Sequence, residues 1–588
     1  MSTLTRLPFS SLLALPLALA AGCAAPPEGE GEGAAAAAES ANELPPRPAD
    51  TDTVKHCDVV IAGGTTAALA AALASADRGA KTCLLEPTEW LGGQLTATGV
   101  PAIDQAWHTT PGGYEVGKIA KDPANISGWF QKMFIGTGRV DRCTVSFQCF
   151  QPKDLLVGPI ANLTAPYRNN GRLQIFKQTV VKRVVVEGEY ATRLVAVQRQ
   201  AKPGVEWGGY DKLPSEDVPD WYDPAPSARY EKTVLEFPSD PARPAVFIDA
   251  TDWGELLALS GAPYLQGYEA EEGSLADNDR CGQATVFPFA MRLEAGPTTE
   301  DFAIPAADAS SQAFYSLTSG SRTYSFSEVW RYRRLRGEAP SPSAGDISNQ
   351  NWNPGNDYPF AYLFKSKADA AAERGDWRGG VDFAAMAGAE RHAYGWHAFM
   401  KQQAGPLANR IKLDRTVFGT GHGLSKLPYI RDTRRSVGLG NFIMTAGDIT
   451  GAPGAKTGTP FYDRVALGAY AVDVHGLKNA CSYPAFIDRY TGTHDTLPYY
   501  IPFRALTNAA VTNLLVAGKT MAQSFVVNAA TRLHPIEWSS GSAAGVAAAH
   551  MARFSIGSEL ALQSVQDIQV QAALYTPARW KVNGQLLP

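Results

Sequence analysis

The sequence predicts an α/β fold in which a parallel sheet with covering helices carries a β-meander and an inserted α+β lobe. Three observations lead to it. Residues 59–62 are an apolar run of buried-strand length, followed by Gly63-Gly64-Thr65-Thr66, an alanine-rich stretch to residue 76, and a second apolar run, 81–85, that ends on Glu86. Alternation through 173–186, continued at 194–199 and 232–237, reads as an antiparallel meander. Far downstream, an apolar strand at 513–518 and a small-residue helix at 546–552 return to the opening pattern.

The chain starts with a single positive charge, Arg6, and an apolar run, 12–21, too short to span a bilayer. Residues 1–22 therefore read as a signal peptide. The run closes on Leu19-Ala20-Ala21-Gly22-Cys23, which resembles a bacterial lipoprotein signal with Cys23 as the lipid-bearing residue; ordinary cleavage near Ala25 is the other reading. Both imply export, to the periplasm or the cell surface, and the first implies a lipid anchor. Residues 23–54 are rich in Ala, Gly, Glu and Pro and read as a flexible tether. The formal net charge is −5 and there is no basic tract, so no nucleic-acid partner is expected. Six of the seven cysteines lie beyond Cys23, without a C-x-x-C pair or zinc spacing, so neither a dithiol relay nor a metal site is expected. In an oxidising compartment Cys143 and Cys149 can close a small disulfide loop.

The 59–86 unit has the size of a Rossmann-like βαβ. Its helix N-terminus offers N–H groups to a pyrophosphate, and Glu86 can take ribose hydroxyls. Thr65 and Ala68 stand where the second and third glycines of the usual turn would be, and Trp90-Leu91-Gly92-Gly93-Gln94 follows the acid. In these residues the chain resembles the FAD-dependent oxidoreductase family of the glutathione-reductase-like fold, the group often labelled xanthan-lyase-like. The resemblance implies a noncovalent FAD held by Gly63, Gly64, Thr65, Ala68 and Glu86, with Gly92, Gly93 and Gln94 along the ribityl chain and ring and Asp104 close by.

On that resemblance the FAD-binding domain occupies 55–104, 151–290 with the meander, and 441–556. A cap covers 105–150, a substrate or cap domain 291–440, and a tail 557–588. Cys149 sits in a family-like V-S-x-x-C-F-x-P segment, as a catalytic thiol or a buried structural cysteine. Asp249 and Glu255 follow an apolar strand as helix-capping or substrate-contacting acids. Asp346 to Tyr358, with Asp357, also matches the family's pattern. Arg431, Arg434 and Arg435 are close enough to need anions, either structural acids or an anionic substrate. Asp473-Val-His475-Gly476 matches the family's D-x-H-G. Gly518 ends the 513–518 strand, and Arg532-Leu-His534 precedes Gly541, Ala544 and Gly545, which the family sets against the flavin. On the same resemblance, a helix starting there can aim its positive end at the flavin N1–C2 edge.

The function implied is an FAD-dependent oxidoreductase that moves hydride from a C–H bond of a small polar substrate, such as a sugar or sugar acid, to flavin N5. His534, His475 and Arg532 are the catalytic candidates: either histidine as base, the arginine to orient the substrate. A non-redox polysaccharide lyase or isomerase, or a binding lipoprotein with a vestigial flavin site, are the alternatives. The partners expected are a small-molecule substrate and an electron acceptor that the residues leave open, with the membrane met only through a lipid on Cys23.

Overall fold

The computed structural model describes residues 44–588 apart from 45, 104–121, 126–129, 131–142, 147, 306–311, 479–480, 489 and 491. The signal peptide, Cys23, most of the tether and of the cap, and Asp104 lie outside the described residues. Residues 46–54, placed in the tether by composition, are fastened: Arg47 Nε bonds Asp58 at 2.7 Å, and Val54 bridges to Glu236.

The chain opens with β1 (Val59–Ala62), α1 (Thr66–Asp77) and β2 (Thr82–Glu86), then β3 (Leu173–Lys177). Gln178, at φ +54°, breaks the alternating run at 173–186 in two. Only the second half, β4 (Thr179–Glu187), joins the meander with β5 (Tyr190–Ala201) and β6 (Tyr230–Pro238), whereas β3 is an edge of the parallel sheet. β7 (Val246–Asp249) and α2 (Glu255–Ser260) lead into the lobe. There β8 (Phe289–Leu293), β9 (Arg334–Arg336), β10 (Ile347–Gln350) and β11 (Ile411–Leu413) make an antiparallel sheet of order 9-10-8-11, and α3 (Phe383–Gln403) lies between β10 and β11 in the chain. The return supplies β12 (Val472–Val474), β13 (Leu514–Val516), α4 (Phe525–Thr531) and α5 (His534–Phe554).

The parallel sheet has the order 13-7-1-2-3. Residues of β1, β2, β7 and β13 are buried, as a sheet covered on both faces requires. The Cys57–Cys83 disulfide staples the chain before β1 to β2. Cys143–Cys149 and Cys281–Cys481 are also paired, so Cys149 is structural and not a thiol nucleophile.

α5 begins twelve residues earlier than the helix expected at 546–552 and carries Gly541 and Gly545 inside it. Gly in a helix interior costs about 1 kcal/mol relative to Ala. What offsets it is contact with α1. A Cβ on Gly541 would lie 2.1 Å from the Ala67 carbonyl oxygen, and one on Gly545 2.2 Å from that of Ala71. The alanines of α1 and the glycines of α5 let the two backbones approach where larger side chains would part them.

Candidate active site

Two cavities open around this framework. The first lies at the C-terminal ends of β1, β2 and β7, where an open α/β sheet places its ligand. Gly63, Gly64, Thr65, Glu86, Gly93 and Asp252 are on its wall. Gly63 has φ +94°, and a Cβ there would meet the Ala250 carbonyl oxygen at 2.4 Å. At Gly64 a Cβ would fall 1.5 Å from Glu86 Oε2, so the turn and the acid share one crowded corner. Thr65 is no failed glycine. Its hydroxyl donates to the Ala250 carbonyl at 2.8 Å and accepts from the Ala68 amide at 3.1 Å, capping α1. Ala68 is fully buried. The Gly92 amide donates to the Gly64 carbonyl at 2.7 Å, joining the two glycine turns.

Glu86 is buried, and burial pushes its carboxyl up to about 8 although Thr88 donates to it twice, at 2.7 Å each. These residues fit an FAD. A helix N-terminus answers the pyrophosphate, a carboxyl at the end of β2 answers ribose, and Gly63, Gly64 and Gly93 leave side-chain-free wall.

The second cavity, of about 520 Å³, is polar and bounded by the lobe and the returning chain. Tyr429, Arg431, Asp473, His475 and Arg532 lie on its wall. His475 Nδ1 is 2.5 Å from Asp357 Oδ2, and its Nε2 is 3.0 Å from Asp473 Oδ2. The same Asp473 oxygen holds Arg532 Nη2 at 2.8 Å, and Asp357 Oδ1 holds Arg431 Nη2 at 2.8 Å. Arg532 Nη1 also donates to the Tyr429 hydroxyl at 2.8 Å. Burial and Arg431 oppose a charge on His475, but Asp473 and Asp357 prevail and hold it above its ordinary value. Burial likewise opposes ionisation of Asp357, which Arg431 and His475 nonetheless keep below the usual carboxylate range.

A family model described as FAD dependent oxidoreductase matches residues 58–207 and 239–574, more than half of the chain. The chain belongs to that family. This FAD dependent oxidoreductase is similar at low identity to several solved structures. An E. coli quinol fumarate reductase FrdA variant aligns over 88% of this chain and 74% of its own, at 12% identity and TM-score 0.29. A geranylgeranyl bacteriochlorophyll reductase-like protein from Thermoplasma acidophilum aligns over 88% and 83%, at 8% identity and TM-score 0.32. No curated protein matches the chain.

Most of the expected site residues fall into three groups in this oxidoreductase, with Gln94 and His534 standing apart. Gly63, Gly64, Thr65, Glu86 and Gly93 line the first cavity, with Gly92 adjoining through its bond to Gly64. Ala68, Ala544, Gly541 and Gly545 are buried; the two glycines serve the α1–α5 contact, and Gly518, at φ +68°, sits 3.0 Å from the Ala67 methyl by the same measure. His475 and Arg532 meet on the second cavity through Asp473. Gln94 connects the two regions by donating from Nε2 to the Arg532 carbonyl at 2.9 Å. His534 is fully buried at the start of α5, 3.0 Å from the Val100 carbonyl, and burial lowers it to about 3, so it is a neutral donor there.

The other expectations resolve in the same way. Arg434 donates to the carbonyls of Trp253, Gly379 and Gly380, and Arg435 pairs with Glu269 at 2.8 Å; both are structural. Asp249 accepts from the Leu257 amide inside α2, and Glu255 accepts from Tyr222 and Trp377. Sequence reasoning gave no site role to Asp357, Tyr429 or Asp473, though each stands in a segment that matched the family. Lys519 is a further buried cation, bound to Asp252 at 2.8 Å and Glu537 at 2.6 Å.

Proposed function

We propose that this oxidoreductase removes hydride from a C–H bond of a small polar substrate, a sugar or sugar acid, lodged in the second cavity. Bound FAD supplies the two-electron acceptor. The observation that carries the reading is the meeting of His475, Asp473, Arg431 and Arg532 on one cavity wall. His475 in its neutral form takes the O–H or N–H proton that leaves with the hydride. Asp357 and Asp473 strengthen it as a base by stabilising the charge it gains. Arg532, fixed by Asp473 and Tyr429, and Arg431, fixed by Asp357, orient the substrate. His534 is fully buried behind that wall, bound to the carbonyl of Val100, which lines it, and keeps a supporting role.

The test is anaerobic mixing of the FAD-loaded protein with sugars, amines and acids while the flavin absorbance is followed. Bleaching by one class supports the reading; a flavin that no class bleaches, in a protein that still turns over a polysaccharide, favours the lyase alternative.

Export and lipid attachment at Cys23 complete the proposal. The short apolar run before Cys23 and the pairing of the other six cysteines support it. Labelled fatty acid incorporated by the natural chain and not by C23A is the expected result.

A further inference from the structure

The wall of the second cavity carries more positive than negative charge. Among the described residues one network joins Asp357 and Asp473 to Arg431, Arg532 and His475. Both ring nitrogens of His475 lie within hydrogen-bond distance of a carboxylate, an arrangement that calls for hydrogen on each and makes the ring a cation. Two carboxylates against three cations leave one positive charge unanswered. Arg431 and Arg532 are each 4% exposed, and the Nε–H of each has no acceptor. The network is thus short of acceptors, not of donors. A ligand that brings negative charge answers the surplus at the two arginines that line the cavity, and a neutral ligand of the same shape does not.

The rest of the wall suits a ring. Trp352 has Tyr324 and Tyr332 edge-on to it, with centroids 5.1 and 5.3 Å away. Asn351, Asn353 and Ser319 add amide and hydroxyl groups. Aromatic faces with a few neutral hydrogen-bonding groups hold the apolar and hydroxylated sides of a sugar.

Resting on the redox reading above, we infer that the substrate is a sugar acid, a hydroxylated ring with a carboxylate that answers Arg431 and Arg532, oxidised at a carbinol carbon. The C–H and O–H bonds of that carbinol break and a C=O bond forms. Hydride passes to the FAD of the established family activity, and the proton to His475, which first gives up the ring proton that the resting network holds, so the acid is drawn to the charged ring and oxidised on the neutral one.

The test uses the full-length, FAD-loaded protein and titration calorimetry with three probes: glucuronate, its neutral isostere glucuronamide, and glucose. Glucuronate is expected to bind at least about tenfold more tightly than glucuronamide. In R431Q and R532Q the ratio falls to about threefold or less, while R431K, which keeps the charge, retains part of the preference and controls for folding. Equal binding of acid and amide, or no binding of either at about 10 mM, overturns the inference. The two readings fail separately. Bleaching of the flavin by glucose without any preference for the acid removes the sugar-acid assignment and leaves the redox reading. A strong preference for the acid without bleaching by any sugar does the reverse.

Discussion

Replacing Gly541 and Gly545 together by alanine tests whether the contact between α1 and α5 organises the cofactor cavity. Each new methyl would stand 2.1 or 2.2 Å from a carbonyl oxygen of α1, so the helices must part by about 1 Å or more before ordinary van der Waals contact returns. Overpacking of this kind costs about 1–3 kcal/mol per site, and the gain in helix propensity from Gly to Ala returns about 1 kcal/mol at each. The net expectation is a loss of about 2 kcal/mol for the double variant, centred between those limits. The function suffers as well, because Gly63, Gly64 and the N-cap Thr65 form the turn that leads into α1 and lines the first cavity. Urea unfolding with flavin absorbance after gel filtration reads both effects. A double variant with an unchanged midpoint and a full flavin complement would refute the close-approach argument.

Further outcomes follow from the two cavities and the disulfides. H475Q should slow flavin reduction by about 10²–10⁴-fold in stopped flow with an active substrate, since it removes the base. In the natural protein the same rate should rise with pH, because the neutral form of His475 gains population only above its raised value. The linked stability has the opposite sign: the charged ring's contribution is complete below the unfolded value of about 6.5 and is lost as pH rises through the folded one, which midpoints across that range would show. E86Q should weaken FAD retention by about 10- to 100-fold in equilibrium dialysis above about pH 8, where the ionised carboxylate makes a charge-assisted bond that the amide cannot, and by less below it. Removing the Cys281–Cys481 link in C281S/C481S should lower stability by about 2–4 kcal/mol in denaturant, given its separation of 200 residues.

The legible parts of the chain were those whose cause is local. β1, α1 and β2 follow from an apolar run, a small-residue turn and an acid, and the structure keeps them nearly to the residue. The start of α5 was not legible, because two interior glycines weaken a helix unless a neighbour needs the space, and that neighbour is hundreds of positions away. The break at Gln178 is similar: alternation continues through it, and only the pairing shows that β3 and β4 belong to different sheets. At the site, His475 and Arg532 stood out by their motifs. Asp357 did not, since its importance lies in holding His475 and Arg431, each from another part of the chain. The pairing of Cys281 with Cys481 was hidden for the same reason.

The sheet begun by β1 is finished only by β13, whose Leu514 pairs with Phe247 of β7. Until that late segment emerges during synthesis, β7 presents an open row of amides and carbonyls, a template on which a foreign strand can add. Interruption of translation between residues 249 and 514 therefore leaves an adhesive fragment, and prompt arrival of the last strand guards this protein against aggregation.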